Sequence, residues 1–264
     1  MLPVSCSFLC GGFTERDQKA IDMILPPKER TPLRVSRKFN NTNKPWNDYW
    51  HGTAREVGST SMLSRLAQQD YENHGGTGVL PYYYFENYYF YSGLQRRLML
   101  SCREKFDKKE IDISCGRTPS ELLDVAESFQ KTLVKLGHDV SVKEALNYVY
   151  IRTLDESYLG IVREYKAREQ LIAAFPQYQF EQSSYELDHF YGVDILVKKN
   201  GKTVLGYQVK TTRFKNSKWD YSEEAKEQNR EKFEKCKRDF GFDVEFLWVD
   251  HDGNVVDVPT INAA

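Results

Sequence analysis

The chain has 264 residues, 40% hydrophobic and 28% charged, and 37 Lys and Arg against 38 Asp and Glu leave a net charge of −1. This is the composition of a soluble globular protein with core enough for one large domain or two small ones. No apolar run is long enough to span a membrane, MLPVSCSFLCGGF lacks the basic region of a signal peptide, and five scattered cysteines argue against a disulfide framework and for a reducing, cytoplasmic setting.

Residues 1–60 read as irregular. Within them RTPLRVSRKFNNTNK is basic and polar, so Arg30, Arg34, Arg37, Lys38 and Lys44 are candidates for a DNA-contacting arm or a solvated loop, with Trp46 and Trp50 as anchors. A short helix is expected over Ser61–Gln69, followed by the glycine-rich turn His74–Gly78, which lacks the lysine of a phosphate-binding loop. Eight of the eleven residues in PYYYFENYYFY (Pro81–Tyr91) are aromatic, which suits packing better than base stacking. Arg96 and Arg97 follow as candidate phosphate or guanine contacts, or as a solvated helix face.

Thr118–Leu136 predicts a helix, capped by Thr118 or Ser120 and closed by Gly137, with Leu122, Leu123, Ala126, Phe129, Leu133 and Leu136 at helical spacing. Ser141 caps a second helix, to about Thr153, with Glu144 at capping-box spacing. A third runs from about Glu156 to Phe175 and aligns Glu164, Arg168, Leu171 and Phe175 on one face. Glu186 and Asp188 alternate as an exposed strand start would.

Val193–Val197 and Val204–Lys210 flank Asn200-Gly201 and predict a β-hairpin. Each strand carries polar residues that a buried strand does not need: Asp194 on the first, Gln208 and Lys210 on the second. A carboxylate, an amide and a lysine on one sheet face suit a hard divalent cation, with Asp194, Gln208 and the Val209 carbonyl as oxygen ligands. Lys210 then orients a water and offsets developing negative charge. A two-residue Asn200-Gly201 turn pairs Lys199 with Lys202, sets Asp194 opposite Tyr207 and splits the group across the sheet, which weakens the reading. A three-residue turn with Gly201 left-handed keeps it together, and is the expectation. Beyond it come a loop over Thr211–Asp220 with Arg213, Lys215 and Lys218, a charged helix over Ser222–Phe240, a strand over Phe242–Asp250 and a last short strand.

Gly192-Val193-Asp194 followed by Gln208-Val209-Lys210 resembles the PD-(D/E)xK nuclease superfamily, and over residues 155–250 the order of flanking elements agrees with it. Val193 replaces the family's proline, and Gln208 the second acid. The resemblance implies a restriction-endonuclease-like α/β (α+β) fold, a mixed sheet flanked by helices over residues 151–264, with a helical, aromatic-rich part for recognition or dimerisation over residues 1–150. It also implies a helical carboxylate that joins the metal ligands, a role carried to Glu164 with Glu169 as the fallback. The implied activity is Mg2+-dependent, sequence-specific cleavage of double-stranded DNA by a homodimer, as in a type II restriction enzyme. The substituted acid keeps two alternatives open: a non-catalytic DNA-binding protein on a decayed nuclease fold, or a nuclease of repair or RNA.

Overall fold

The side chain of Thr14 accepts a hydrogen bond from the Asp17 backbone, and the Asp17 carboxylate accepts one in return from the Thr14 amide. This capping box starts helix α1 (Glu15–Met23) inside the stretch expected to be irregular. The computed structural model describes residues 13–30, 49–50, 61–101, 116–217, 220–257 and 261. The chain is mixed α/β and divides into two compact units, Met1–Leu159 and Gly160–Ala264. The division falls after Leu159 rather than after Tyr150.

In the first unit α1 is followed by α2 (Ser61–Asn73), α3 (Tyr82–Ser101), α4 (Pro119–Lys135) and α5 (Val142–Tyr150). Capping boxes start α4 at Thr118 and α5 at Ser141, and the expected apolar stripe of α4 is buried from Leu122 to Leu133. The His138 amide donates back to Leu133, and Gly137 is left-handed at φ 87°. The aromatic stretch is the first half of α3: Phe85, Tyr89 and Phe90 are buried, whereas Tyr83 and Tyr91 are exposed. Trp50 meets Phe129 and Tyr148 edge-on; Trp46 lies outside the described residues.

Two buried ion pairs tie these helices. The Asp17 carboxylate is wholly buried and receives both Arg97 Nη atoms at 3.0 Å and the Ser120 amide at 2.8 Å, so it joins α1, α3 and α4. Arg30 donates to both carboxylate oxygens of Asp155, each at 3.0 Å, and to the Tyr82 hydroxyl at 2.7 Å. Asp155 ends a π-helical segment, Ile151–Asp155, through which α5 runs on into α6 (Glu156–Ala174).

The second unit is built on a sheet of order β1-β2-β3-β4. Strands β1 (Gln179–Gln182), β2 (Ile195–Lys199) and β3 (Lys202–Thr211) are antiparallel neighbours, and β4 (Asp243–Val249) runs parallel to β3. Helix α7 (Tyr185–Tyr191) separates β1 from β2; α8 (Thr212–Asn216) and α9 (Asp220–Phe240) cross from β3 to β4. Glu186 and Asp188 therefore lie on a helix and not at a strand start, because Ser184 caps α7. The expected loop after Thr211 contains α8. The last strand reduces to one bridge, Val249 with Val255.

Alternation gives the sheet two faces. Ile195, Val197, Leu205, Tyr207, Val209, Leu247 and Val249 pack with Ala167 and Leu171 of α6. Val193, Leu196 and Val244 pack instead with Phe233 and Cys236 of α9. The hairpin corrects the expected turn. Lys199 pairs with Lys202 across a two-residue Asn200-Gly201 loop, both residues left-handed at φ 53° and 75°. The register then shifts between Val197 and Lys198: Lys198 faces Thr203 and Val197 faces Leu205, so Val204 is an extra residue. The paired register ends at Ile195 with Tyr207, and beyond it the Asp194 amide donates to the Tyr207 carbonyl. The expected single-face group is not formed: Gln208 lies beside Gly192 and Phe233, and the residues around Asp194 include neither Gln208 nor Lys210.

Burial pushes the Asp17 carboxyl up, but the hydrogen bonds from Arg97, Ser120 and Thr14 outweigh it and hold the group well below the usual carboxylate range. A lowered folded pKa stabilises above the unfolded value, about 4, and that stabilisation is lost as pH falls through the folded value. Asp17→Asn is expected to lower unfolding free energy by about 3 kcal/mol at pH 7 and to flatten the acid limb of stability. Urea titrations from neutral pH down to about pH 3 check both; an unchanged limb contradicts the role given to Asp17.

Candidate active site

The site forms where β2 parts from β3. Helix α7 ends at Gly192, left-handed at φ 68°, whose amide donates to Asp188 while the Val193 amide donates to Leu187. This reversal brings Asp194 into the ladder: its amide donates to Tyr207 at 2.8 Å, and its carbonyl accepts from Ser183 at 3.0 Å. The Asp194 side chain is buried, and its Oδ2 accepts from the Val209 amide at 2.7 Å. It is thus the Val209 N–H, not the carbonyl, that meets the aspartate, while the Val209 side chain packs toward α6.

A small cleft opens beside Asp194, lined by Glu164, Tyr165 and Arg168 from α6, Gln182 from the end of β1, and Asp194 and Ile195. Glu164 reaches it because the face of α6 that carries Ala167 and Leu171 into the core carries Glu164 one turn earlier. Glu169 is not part of the lining; its half-exposed side chain lies 3.7 Å from Arg168.

Gln208 and Lys210 belong to the opposite alternation of β3. Gln208 is buried, and a β-carbon placed on Gly192 would stand 3.2 Å from its Nε2 and 3.3 Å from Phe233 Cε1. Its Oε1 is buried with no hydrogen-bond partner among the described residues. Eight other buried side-chain polar atoms among the described residues are likewise unpartnered. Lys210 is half-buried, in register with Trp248, and does not line the cleft. The structure thus brings Asp194 and Glu164 to one cleft, and neither Gln208 nor Lys210 lines it.

The candidate phosphate contacts divide. Arg96 is buried against Glu121, and Arg97 is bound by Asp17, so both hold helices together instead of standing free for DNA. Arg213 is exposed on α8. Lys215, also exposed, lies 5.4 Å from the Trp248 ring centre and 3.7 Å from Asp257. Arg34, Arg37, Lys38, Lys44 and Lys218 lie outside the described residues, and Arg30, expected with them on a DNA-contacting arm, is instead buried against Asp155. Sequence reasoning missed Tyr165 and Gln182. It placed Arg168 on the Glu164 stripe without giving it a role, and that stripe was the available signal.

No family model, curated protein or solved structure matches this chain. Among the described residues, no cluster of three or more His, Cys, Asp or Glu side chains is arranged to hold a metal, and no helix is long and apolar enough to cross a membrane.

Gly192→Ala forces a β-carbon into a left-handed turn and against Gln208. It is expected to destabilise the protein by about 1–2 kcal/mol, read from the urea midpoint at constant slope. A neutral result means the turn does not depend on glycine.

Proposed function

We propose that the chain is a Mg2+-dependent, sequence-specific double-stranded DNA endonuclease, organised like a type II restriction enzyme on a restriction-endonuclease-like core. The observation that carries this reading is the fork. Glu164 from the helix before the sheet and Asp194 from the strand start line one cleft, and the Val209 amide holds the Asp194 carboxylate there. Two carboxylates and an amide oxygen are hard donors. They fit Mg2+, which takes one or two carboxylates, keeps several waters and completes its shell from substrate phosphate.

When bound, Mg2+ supplies positive charge to polarise the scissile phosphate. The protein's own groups divide the remaining work. The Val209 amide fixes the Asp194 carboxylate, so the acceptor is held before DNA arrives. Glu164 approaches from α6 and Gln208 from β3. Lys210 orients the attacking water and stabilises charge on the phosphate, reaching the DNA from the end of β3. Arg213 and Lys215 follow as backbone contacts. A palindromic target calls for a homodimer, because site symmetry mirrors protein symmetry.

A second reading, a non-catalytic DNA-binding protein, is favoured by one observation: Lys210 does not line the cleft that holds Glu164 and Asp194. The two separate on phage or plasmid DNA incubated with Mg2+ or with EDTA. Discrete Mg2+-dependent fragments are expected, and a smear redirects the proposal to a repair or non-specific nuclease. Asp194→Ala and Lys210→Ala are each expected to slow cleavage at least about 100-fold with DNA retention in gel shifts largely kept. DNA left intact in Mg2+ by a wild-type chain that still binds it selects the non-catalytic reading.

A further inference from the structure

We infer that Arg168 clamps a backbone phosphate of the DNA in the cleft, acting beside the two carboxylates; this rests on the nuclease reading above. A cleft that presents Glu164 and Asp194 repels a phosphodiester unless positive charge stands with them. Of the six residues that line it, Arg168 alone is cationic. Lys210, the lysine of the proposed motif, is not among them.

Arg168 is placed by two contacts. Its guanidinium carbon lies over the Tyr165 ring, 4.9 Å from its centre, a cation–π contact within α6. Its Nη2 lies 3.7 Å from Glu169, too long for a hydrogen bond. The Nε is buried and has no hydrogen-bond partner among the described residues. The side chain as a whole keeps 23% exposure, and phosphate matches a guanidinium fork with two parallel bonds. One turn along α6 separates Arg168 from Glu164, so a single helix presents a metal-side carboxylate and a phosphate-side cation to the same cleft.

The test uses the full chain with Arg168→Ala, Arg168→Lys and, as a control for the nearby acid, Glu169→Ala. Binding of a fluorescein-labelled mixed-sequence duplex is followed by anisotropy in Ca2+ over a series of KCl concentrations, and plasmid cleavage is followed in Mg2+. Arg168→Ala is expected to reduce the slope of log affinity against log salt by about one and to lower kcat/KM about 10- to 100-fold. Arg168→Lys restores the slope but not kcat/KM, because an ammonium keeps the charge without the fork. Glu169→Ala changes neither. An Arg168→Ala protein with wild-type melting temperature, salt slope and kcat/KM overturns the clamp. A melting temperature lowered with unchanged slope overturns it too, in favour of a packing role. If the wild-type chain binds DNA but does not cut it, or if Asp194→Asn cuts as the wild type does, the nuclease reading falls while the salt slope still decides Arg168. A wild-type chain that does not bind the duplex ends both.

Discussion

The bond from the Val209 amide to Asp194 Oδ2 is the constraint around which the second unit is arranged. A carboxylate only 4% exposed needs hydrogen-bond donors to offset its lost hydration, and here the donor is the backbone of the neighbouring strand just beyond the last paired residues of β2. That bond exists only if three local conditions hold together. Gly192 must be left-handed, so that α7 can end and the chain can turn into β2. Gly206 must lack a side chain, since a β-carbon there would stand 3.0 Å from Val193 and 3.2 Å from Phe242. Val204 must be extra, so that Ile195 pairs with Tyr207 and Asp194 enters the ladder beside Val209.

How far the sequence disclosed this depends on the range of each interaction. The starts of α4 and α5 were legible because a capping box is complete within four residues. The polar group was legible as residue types, since Asp194, Gln208 and Lys210 stand out in apolar strands. Its register was not. Asn-Gly signals a tight turn correctly, but a bulge a few residues away changes the parity of every later pair. Thr203 and Val204 are both β-branched and suit a strand equally well, so neither is marked as the residue left over. Helix α7 was missed for a related reason: Glu186 and Asp188 alternate as a strand does, and only the Ser184 cap and the Gly192 stop reveal one short helix. Arg96 and Arg97 carried no mark that their acids, Glu121 and Asp17, lie far away in the chain.

The first unit meets its own version of the buried-charge problem. Arg30 is 3% exposed, and its charge is balanced by two bonds to Asp155, by the Tyr82 hydroxyl and by the Tyr150 ring face at 5.2 Å. Burial alone pushes the guanidinium pKa down; the bonds to Asp155 outweigh that and raise it. A π-helical turn contains one more residue than an α-turn would, and it rotates the helix beyond it. Ile151–Asp155 is such a turn, and Asp155 is the residue that receives Arg30. The irregularity in the helix and the buried ion pair are therefore one feature of the packing.

The replacement of an acid by Gln208 has a consequence for charge on the proposed reading. Asp194 and Glu164 carry two negative charges, which one divalent cation neutralises; a third carboxylate would leave the centre negative and the phosphate repelled. With the amide in that place the loaded site is neutral before DNA arrives, and Arg168 makes the cleft as a whole positive. The amide is also a weaker ligand than a carboxylate, so the cation is held less firmly by the protein alone and more firmly once a phosphate oxygen joins the shell. Metal and DNA then bind with mutual reinforcement, since each supplies what the other lacks. On the nuclease reading, the substitution that looks like decay in a motif would shift metal affinity from the free protein to the complex with substrate.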